Sequence, residues 1–207
     1  GDPRVSGRGR LEFGAGRAQL GGNDRLSGRE GFEKRGHPRQ YTEPLMPALS
    51  PRPAVSLFRD PSPVDELASL RRALGGGPRL LIKRDDALPF AFGGNKVRKM
   101  QFVAGDALAS GADTLITCGG VQSNHARVTA AAAAKLGLRC ILVANGTPQA
   151  APTANALLDR LLGAEVRYVA DRTGRTPAME AAAEDVRRAG GSPCVIPLGA
   201  STPLGAL

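Results

Sequence analysis

The 207-residue chain has no tryptophan, two tyrosines and six phenylalanines, so aromatics make up only 4% of it. A core without large rings has to come from Ala, Leu, Val and Ile, and 42% hydrophobic residues supply enough for one large domain or two small ones. No apolar run approaches the roughly 18 residues needed to cross a bilayer, and no charged-then-apolar leader with a small-residue cleavage site opens the chain. These absences disfavour membrane and secreted classes. Only three cysteines occur, Cys118, Cys140 and Cys194, 22 and 54 residues apart in apolar surroundings, which suits neither a zinc site nor a disulfide framework. They read as buried thiols of a reducing, cytoplasmic compartment. Also missing are a Gly-x-Gly-x-x-Gly turn after a strand and a Gly-x4-Gly-Lys-Ser/Thr loop, so nucleotide binding drops out.

Positive charge is what the chain has in excess. It carries 28 basic and 19 acidic residues, a net +9, and 23 of the basic residues are Arg. The first 44 residues account for +3 and the other 163 for +6, so the excess is spread over the chain and marks no docking face for nucleic acid. Residues 1–44 hold 10 Gly and 8 Arg but only six of Val, Leu, Ile and Phe, without period, and are expected to be disordered. Gly7-Arg8-Gly9-Arg10 is similar to the Arg-Gly segments of RNA binders, a weak match in so Gly- and Arg-rich a stretch. Six prolines between Pro44 and Pro63 predict an extended lead-in to a folded body.

Beyond it the pattern alternates. Short β-rich runs at Leu80–Lys83, Thr114–Cys118, Arg139–Ala144, Val166–Ala170 and Cys194–Leu198 read as strands covered on both faces. Between them lie helical stretches: one after Gly94 with the stripe Val97, Met100, Val103, Ala104, Ala107 and Leu108, then about 125–137, 153–162 and 177–189. Strand and helix in turn specify an α/β fold with a parallel twisted sheet. Near the end, Thr202 reads as an N-cap and Pro203 as a first helical residue, with only five residues from Pro203 to Leu207. The expectation is a C-terminally truncated sequence.

In such sheets ligands bind beyond the carboxyl ends of strands, where loops enter helices. Two loops stand out. Gly93-Gly94-Asn95-Lys96 joins a glycine pair to an N-cap Asn and a Lys in the first helical turn, where the positive helix end favours a neutral, nucleophilic amine. By spacing alone the plainer account, a turn, a cap and a solvated lysine, is the weightier one. The second, Cys118-Gly119-Gly120-Val121-Gln122-Ser123-Asn124-His125, presents backbone amides with Ser and Asn side chains to an anion or aromatic hydroxyl, or is an ordinary loop capped by Ser123 or Asn124. Cys118 beside it reads as a structural thiol.

Taken in order, five motifs change the weighting: Lys83-Arg84-Asp85-Asp86, the segment from Gly93 to Lys99, that from Gly111 to Thr117, that from Gln122 to Arg127, and that from Ile196 to Leu207. Over about residues 45–207 they resemble the D-cysteine desulfhydrase and 1-aminocyclopropane-1-carboxylate (ACC) deaminase family of pyridoxal-phosphate enzymes. The resemblance implies a two-domain, tryptophan-synthase-β-like (fold type II) architecture. Residues 45–106 would open the large domain, 107–198 would form the small α/β domain, and 199–207 would begin the return to the large one. It implies pyridoxal 5'-phosphate as cofactor, held as a Schiff base on Lys96, with Asn95 and Asn124 in the cofactor set and Asn124 near the pyridoxal hydroxyl. Gln122, Ser123 and Asn124 fall in the substrate set, with Ser123 near the carboxylate or acting as an acid/base group. The loop for the cofactor phosphate lies, in the family, beyond the last residue of this sequence. A small amino acid is the implied substrate and a homodimer the implied assembly, with no nucleic-acid or membrane partner.

His125, where ACC deaminases tend to have Gln, leans the resemblance towards the desulfhydrase branch. It puts D-cysteine, converted to pyruvate, hydrogen sulfide and ammonia, ahead of ACC deamination and L-cysteate sulfo-lyase activity. From another class, an inactive fragment or a basic RNA-associating protein remains as the alternative.

Overall fold

The computed structural model describes residues 52–206. The segment expected to be disordered, 1–44, and the start of the proline-rich lead-in lie outside the described residues. Along the rest, β1 (Val64–Glu66) and α1 (Ala68–Ala73) lead to β2 (Leu81–Lys83) and a 3-10 turn at Asp85–Ala87. Then come α2 (Asn95–Ala109), β3 (Thr114–Gly120), α3 (Asn124–Leu136), β4 (Arg139–Asn145), α4 (Ala154–Leu161), β5 (Glu165–Val169), α5 (Arg175–Arg188) and β6 (Pro193–Ile196). Two further 3-10 turns follow, at Leu198–Ala200 and Leu204–Ala206. Among the described residues no helix is long and apolar enough to cross a membrane.

β3 to β6 form one parallel sheet in the order β5-β4-β3-β6, as the alternation predicts. Successive strand residues face opposite sides, so one side presents Leu115, Leu142 and Ile196 to a core shared with Val97, Met100, Val103 and Ala104 of α2 and Val128 and Ala132 of α3. The other presents Ile116, Cys118, Ile141 and Val143 to Met179, Ala182, Ala183 and Val186 of α5. Small side chains let α3 sink between its neighbours: every residue from His125 to Ala133 is buried. Gly137 ends that helix at φ +72, where a side chain would be strained.

Two expectations change. The strand near residue 80 is not part of the buried sheet: β2 pairs antiparallel with β1 as a separate ribbon, and all six of their residues are exposed. Three residues ending in Lys83 and flanked by Arg79 and Arg84 are too short and too charged at their ends to enter a covered sheet. Cys118 and Cys140 are buried as expected, but Cys194 is only half-buried, because β6 is an edge strand. At the far end Gly205 N–H donates to Thr202 Oγ1 at 3.0 Å, so Thr202 does cap the last short turn.

The strand order also fixes where a ligand can enter. From β3 the chain steps outward to β4 and β5, then returns to place β6 on the other side of β3. Past their carboxyl ends, α3 after β3 and the turn at Leu198–Ala200 after β6 both pack on the side of the sheet that carries α2, the place where ligands bind in such sheets. The loop from Gly119 to Asn124, the turn at 197–200 and the start of α2 are thereby neighbours.

Candidate active site

Lys96 stands at the second position of α2, half-buried where these segments meet. The glycine pair before it shapes the helix entrance. Gly93 (φ +67) and Gly94 (φ +94) both adopt backbone that favours glycine, and a Cβ on Gly93 would run into the Asp85 and Asp86 carbonyl oxygens. Gly94 is the N-cap. Asn95, expected in that role, is instead the exposed first helical residue and makes no capping bond, because the glycine turn already sets the entry direction.

The Lys96 amine has one polar contact, 3.4 Å from the Gly199 carbonyl oxygen, and no ion pair among the described residues. Burial, with the nearby charge of Lys99, holds its pKa below the ordinary lysine value, so a larger share of it is neutral. Lys99 sits 3.4 Å from the next carbonyl, that of Ala200. The receiving turn is itself constrained: Gly199 has φ +66, and Ala200, fully buried, is held at φ +48. A left-handed alanine costs about 1 kcal/mol, which the surrounding packing must offset.

Opposite, Ser123 is the N-cap of α3, its Oγ accepting from Ala126 N–H at 3.2 Å. It can lie there because Gly119 lacks a side chain: a Cβ on Gly119 would come within 2.5 Å of the Ser123 Cβ and Oγ. The Ser123 hydroxyl hydrogen and the first-turn amides of Asn124 and His125 stay available to an anion at the positive end of α3.

Gln122 is taken up differently. Its Nε2 donates to Thr153 O at 3.1 Å and its Oε1 accepts from Asn155 N–H at 2.9 Å, so it caps α4 from a distance where Thr153 makes no side-chain cap. The Asn124 oxygen accepts from Arg127 Nη1 and from Asn155 Nδ2, both at 2.9 Å. Buried Arg127 also donates to Asn155 Oδ1 at 2.9 Å and to Gly93 O at 3.4 Å, with its guanidinium 5.9 Å from the Phe92 ring centre. One side chain thus ties the loop before Lys96 to the loop of Ser123 and Asn124, bringing the two sequence motifs together.

His125 is sealed behind them. Thr117 Oγ1 donates to Ile196 O at 2.8 Å, so it accepts from His125 Nε2–H at 2.9 Å, and His125 Nδ1 is left as a buried acceptor without a partner among the described residues. Burial first, then the charges of Lys96 and Lys99, pushes the imidazole down to about 4, so it is neutral near pH 7. Sequence reasoning missed Arg127, Asn155 and Asp159. The signal for Arg127 was a lone charge three residues after Asn124 at the head of an alanine-rich helix; Asn155 left none, since its partners are 28 to 33 residues away.

An amine with a lowered pKa, close enough for its charge to act on His125 in the first turn of α3, together with the unengaged donors at that helix start, suits condensation with a carbonyl beside a bound anion. Residues 55–205 match the family described as pyridoxal-phosphate dependent enzyme, and the chain belongs to it. It is 46% identical over 149 residues to the 1-aminocyclopropane-1-carboxylate deaminase of Allorhizobium ampelinum (strain ATCC BAA-846 / DSM 112012 / S4), covering 68% of this chain and 44% of that protein. It is 46% identical over 164 residues to that of Burkholderia ambifaria (strain MC40-6), covering 75% and 48%. Among solved structures it is similar to an ACC deaminase homologue, with TM-score 0.70 and 41% identity over 77% of this chain and 48% of that one. It is also similar to a T.th. threonine deaminase, with TM-score 0.52 and 25% identity over 70% and 41%. The chain spans less than half the length of each of these relatives. The cofactor the family depends on, pyridoxal phosphate, fits the residues present: among the described residues Lys96 has no competing carboxylate and the Asn124 NH2 is unengaged.

Proposed function

We propose that the protein, with pyridoxal phosphate, deaminates a small amino acid, and that this amino acid is 1-aminocyclopropane-1-carboxylate. The resemblance of the motifs puts D-cysteine first; the relatives at 46% identity bear the name ACC deaminase and reverse that order. D-cysteine desulfhydration stays as the second reading on one observation, the buried His125 directly after Gln122-Ser123-Asn124. The observation that carries the proposal is the half-buried Lys96 amine with its lowered pKa, 3.4 Å from the Gly199 carbonyl just past β6 and near enough to act on His125 in the first turn of α3.

Pyridoxal phosphate, when bound, supplies an aldehyde carbon for an amine and a ring that withdraws electrons from the bond being broken. Lys96 Nζ, neutral for a larger share of the time, is the nucleophile for that carbon and afterwards carries a proton to or from the substrate. The Ser123 hydroxyl and the amides of Asn124 and His125 would receive the substrate carboxylate, and Asn124 Nδ2 would donate to the pyridoxal hydroxyl oxygen. Gln122 braces the loop against α4. The division into a large domain holding 45–106 and 199–207 and a small one holding 107–198, a homodimer, and a cytoplasmic setting belong to the same proposal.

Assaying the full-length protein for 2-oxobutyrate, sulfide and sulfite decides the substrate. Release of 2-oxobutyrate from ACC is expected; sulfide from D-cysteine would select the second reading. Borohydride reduction of the loaded protein should fix the cofactor on Lys96 and on nothing in Lys96→Ala; label on Lys99 or Lys83 would refute the assignment.

A further inference from the structure

We propose that Arg127 and Asn155 are positioning residues that hold the Asn124 carboxamide with its oxygen inward and its NH2 presented to the phenolic oxygen of the cofactor. The inference rests on the reading that Asn124 faces that oxygen and adds what aims the amide.

Arginine carries donors only, so the Asn124 atom 2.9 Å from Arg127 Nη1 is the oxygen. The same argument makes the Asn155 atom 2.9 Å from Nη1 an oxygen, which leaves Asn155 Nδ2 as a donor. Its two hydrogens go to Asn124 Oδ1 and Gln122 O, both at 2.9 Å. Each Nη1 hydrogen is used, each Nδ2 hydrogen of Asn155 is used, and Asn124 Oδ1 accepts twice. Turning the Asn124 amide over would set its NH2 against two other donors and lose both bonds. The group left unengaged in this ring is Asn124 Nδ2. Arg127 is buried and has no carboxylate in ion-pair contact among the described residues, so its charge polarises the carbonyls it donates to, that of Asn124 included, and strengthens the Asn124 amide hydrogens as donors.

The bond from Arg127 to Gly93 O gives the arrangement its second use. Pyridoxal carries its aldehyde and its hydroxyl on adjacent ring carbons, so a lysine for one and an amide for the other must keep a fixed spacing. Arg127 touches both the loop that starts the Lys96 helix and the Asn124 side chain, and so sets that spacing.

The test is a pH titration of the visible absorption of pyridoxal phosphate bound to the full-length protein, with the unfolding temperature of the cofactor-free protein as a control for folding. A donor to the ring oxygen favours its ionised form and lowers the titration midpoint, so its loss raises the midpoint by about one pH unit. Asn124→Ala, Asn155→Ala and Arg127→Met are each expected to raise it, with Arg127→Lys, which keeps a donor for Asn124 Oδ1, raising it less than Arg127→Met. In an Asn124→Ala background, Asn155→Ala should add nothing. An unmoved midpoint in Asn124→Ala overturns the placement of Asn124 itself. A shift there with none in Asn155→Ala, or an equal Asn155→Ala shift in both backgrounds, overturns the positioning role. Should Arg127→Met fail to fold, the Asn155 pair decides alone.

Discussion

His125 and Asp159 are both sealed from solvent and both ionisable, yet they respond to pH in opposite senses. Burial pushes Asp159 up to about 7 from 3.8, against the opposing charge of Arg127, and leaves its Oδ1 without a partner among the described residues. The folded chain therefore keeps a proton that the unfolded chain releases, and stability falls as pH rises from about 4 to about 7. His125, pushed down from 6.5 to about 4, refuses a proton that the unfolded chain accepts, so its contribution falls as pH drops through that window. Urea unfolding at several pH values should show Asp159→Asn gaining on the parent by about 3 kcal/mol between pH 4.5 and 7.5, and His125→Gln gaining as pH falls. At this scale the sequence made Lys96, Ser123 and Asn124 visible, because each lies in a short motif at a helix start. The glycine N-cap ahead of Asn95 was not visible, since it depends on carbonyls of Asp85 and Asp86 folding back over Gly93. Nor was the bracing role of Gln122, whose partners belong to α4.

The passage from β3 into α3 shows how an element end is made. A buried strand has to turn at once into a helix whose cap lies over the strand it just left, and Gly119 gives Ser123 the room. Gly119→Ala should displace the cap and the first turn of α3, costing roughly 1 to 3 kcal/mol in denaturant unfolding and weakening pyridoxal-phosphate binding several-fold by spectroscopic titration. Unchanged values of both would mean that the turn absorbs the methyl group. The elements from α2 to β6 were legible from periodicity, because each buries a face against its neighbours. β1 and α1 were not: β1 is three residues long, and α1 buries none of its six residues, so neither imposes a hydrophobic pattern.

Across the whole molecule, burial is graded. β3 and β4 are covered on both faces by helices, whereas β1 and β2 form a two-stranded ribbon with Val64 and Leu81 each 57% exposed. Native-state hydrogen exchange should find the slowest amides in β3 and β4 and the fastest paired ones in β1 and β2, with exchange at the ribbon proceeding by local opening. Equal protection in the two sheets would contradict that grading. Strand order was beyond sequence reasoning, since runs of apolar residues say which segments are strands but not which ones lie side by side.

That order carries a temporal consequence. Thr117 and Ile196 are joined although 79 residues separate them, and the carbonyl that Lys96 meets belongs to the turn just past Ile196. Bringing such distant segments together is a slow, entropically expensive event. Until that long-range pairing forms, the lysine lacks the carbonyl it meets in the folded chain, so the setting of its reactive nitrogen depends on a contact between distant parts of the sequence.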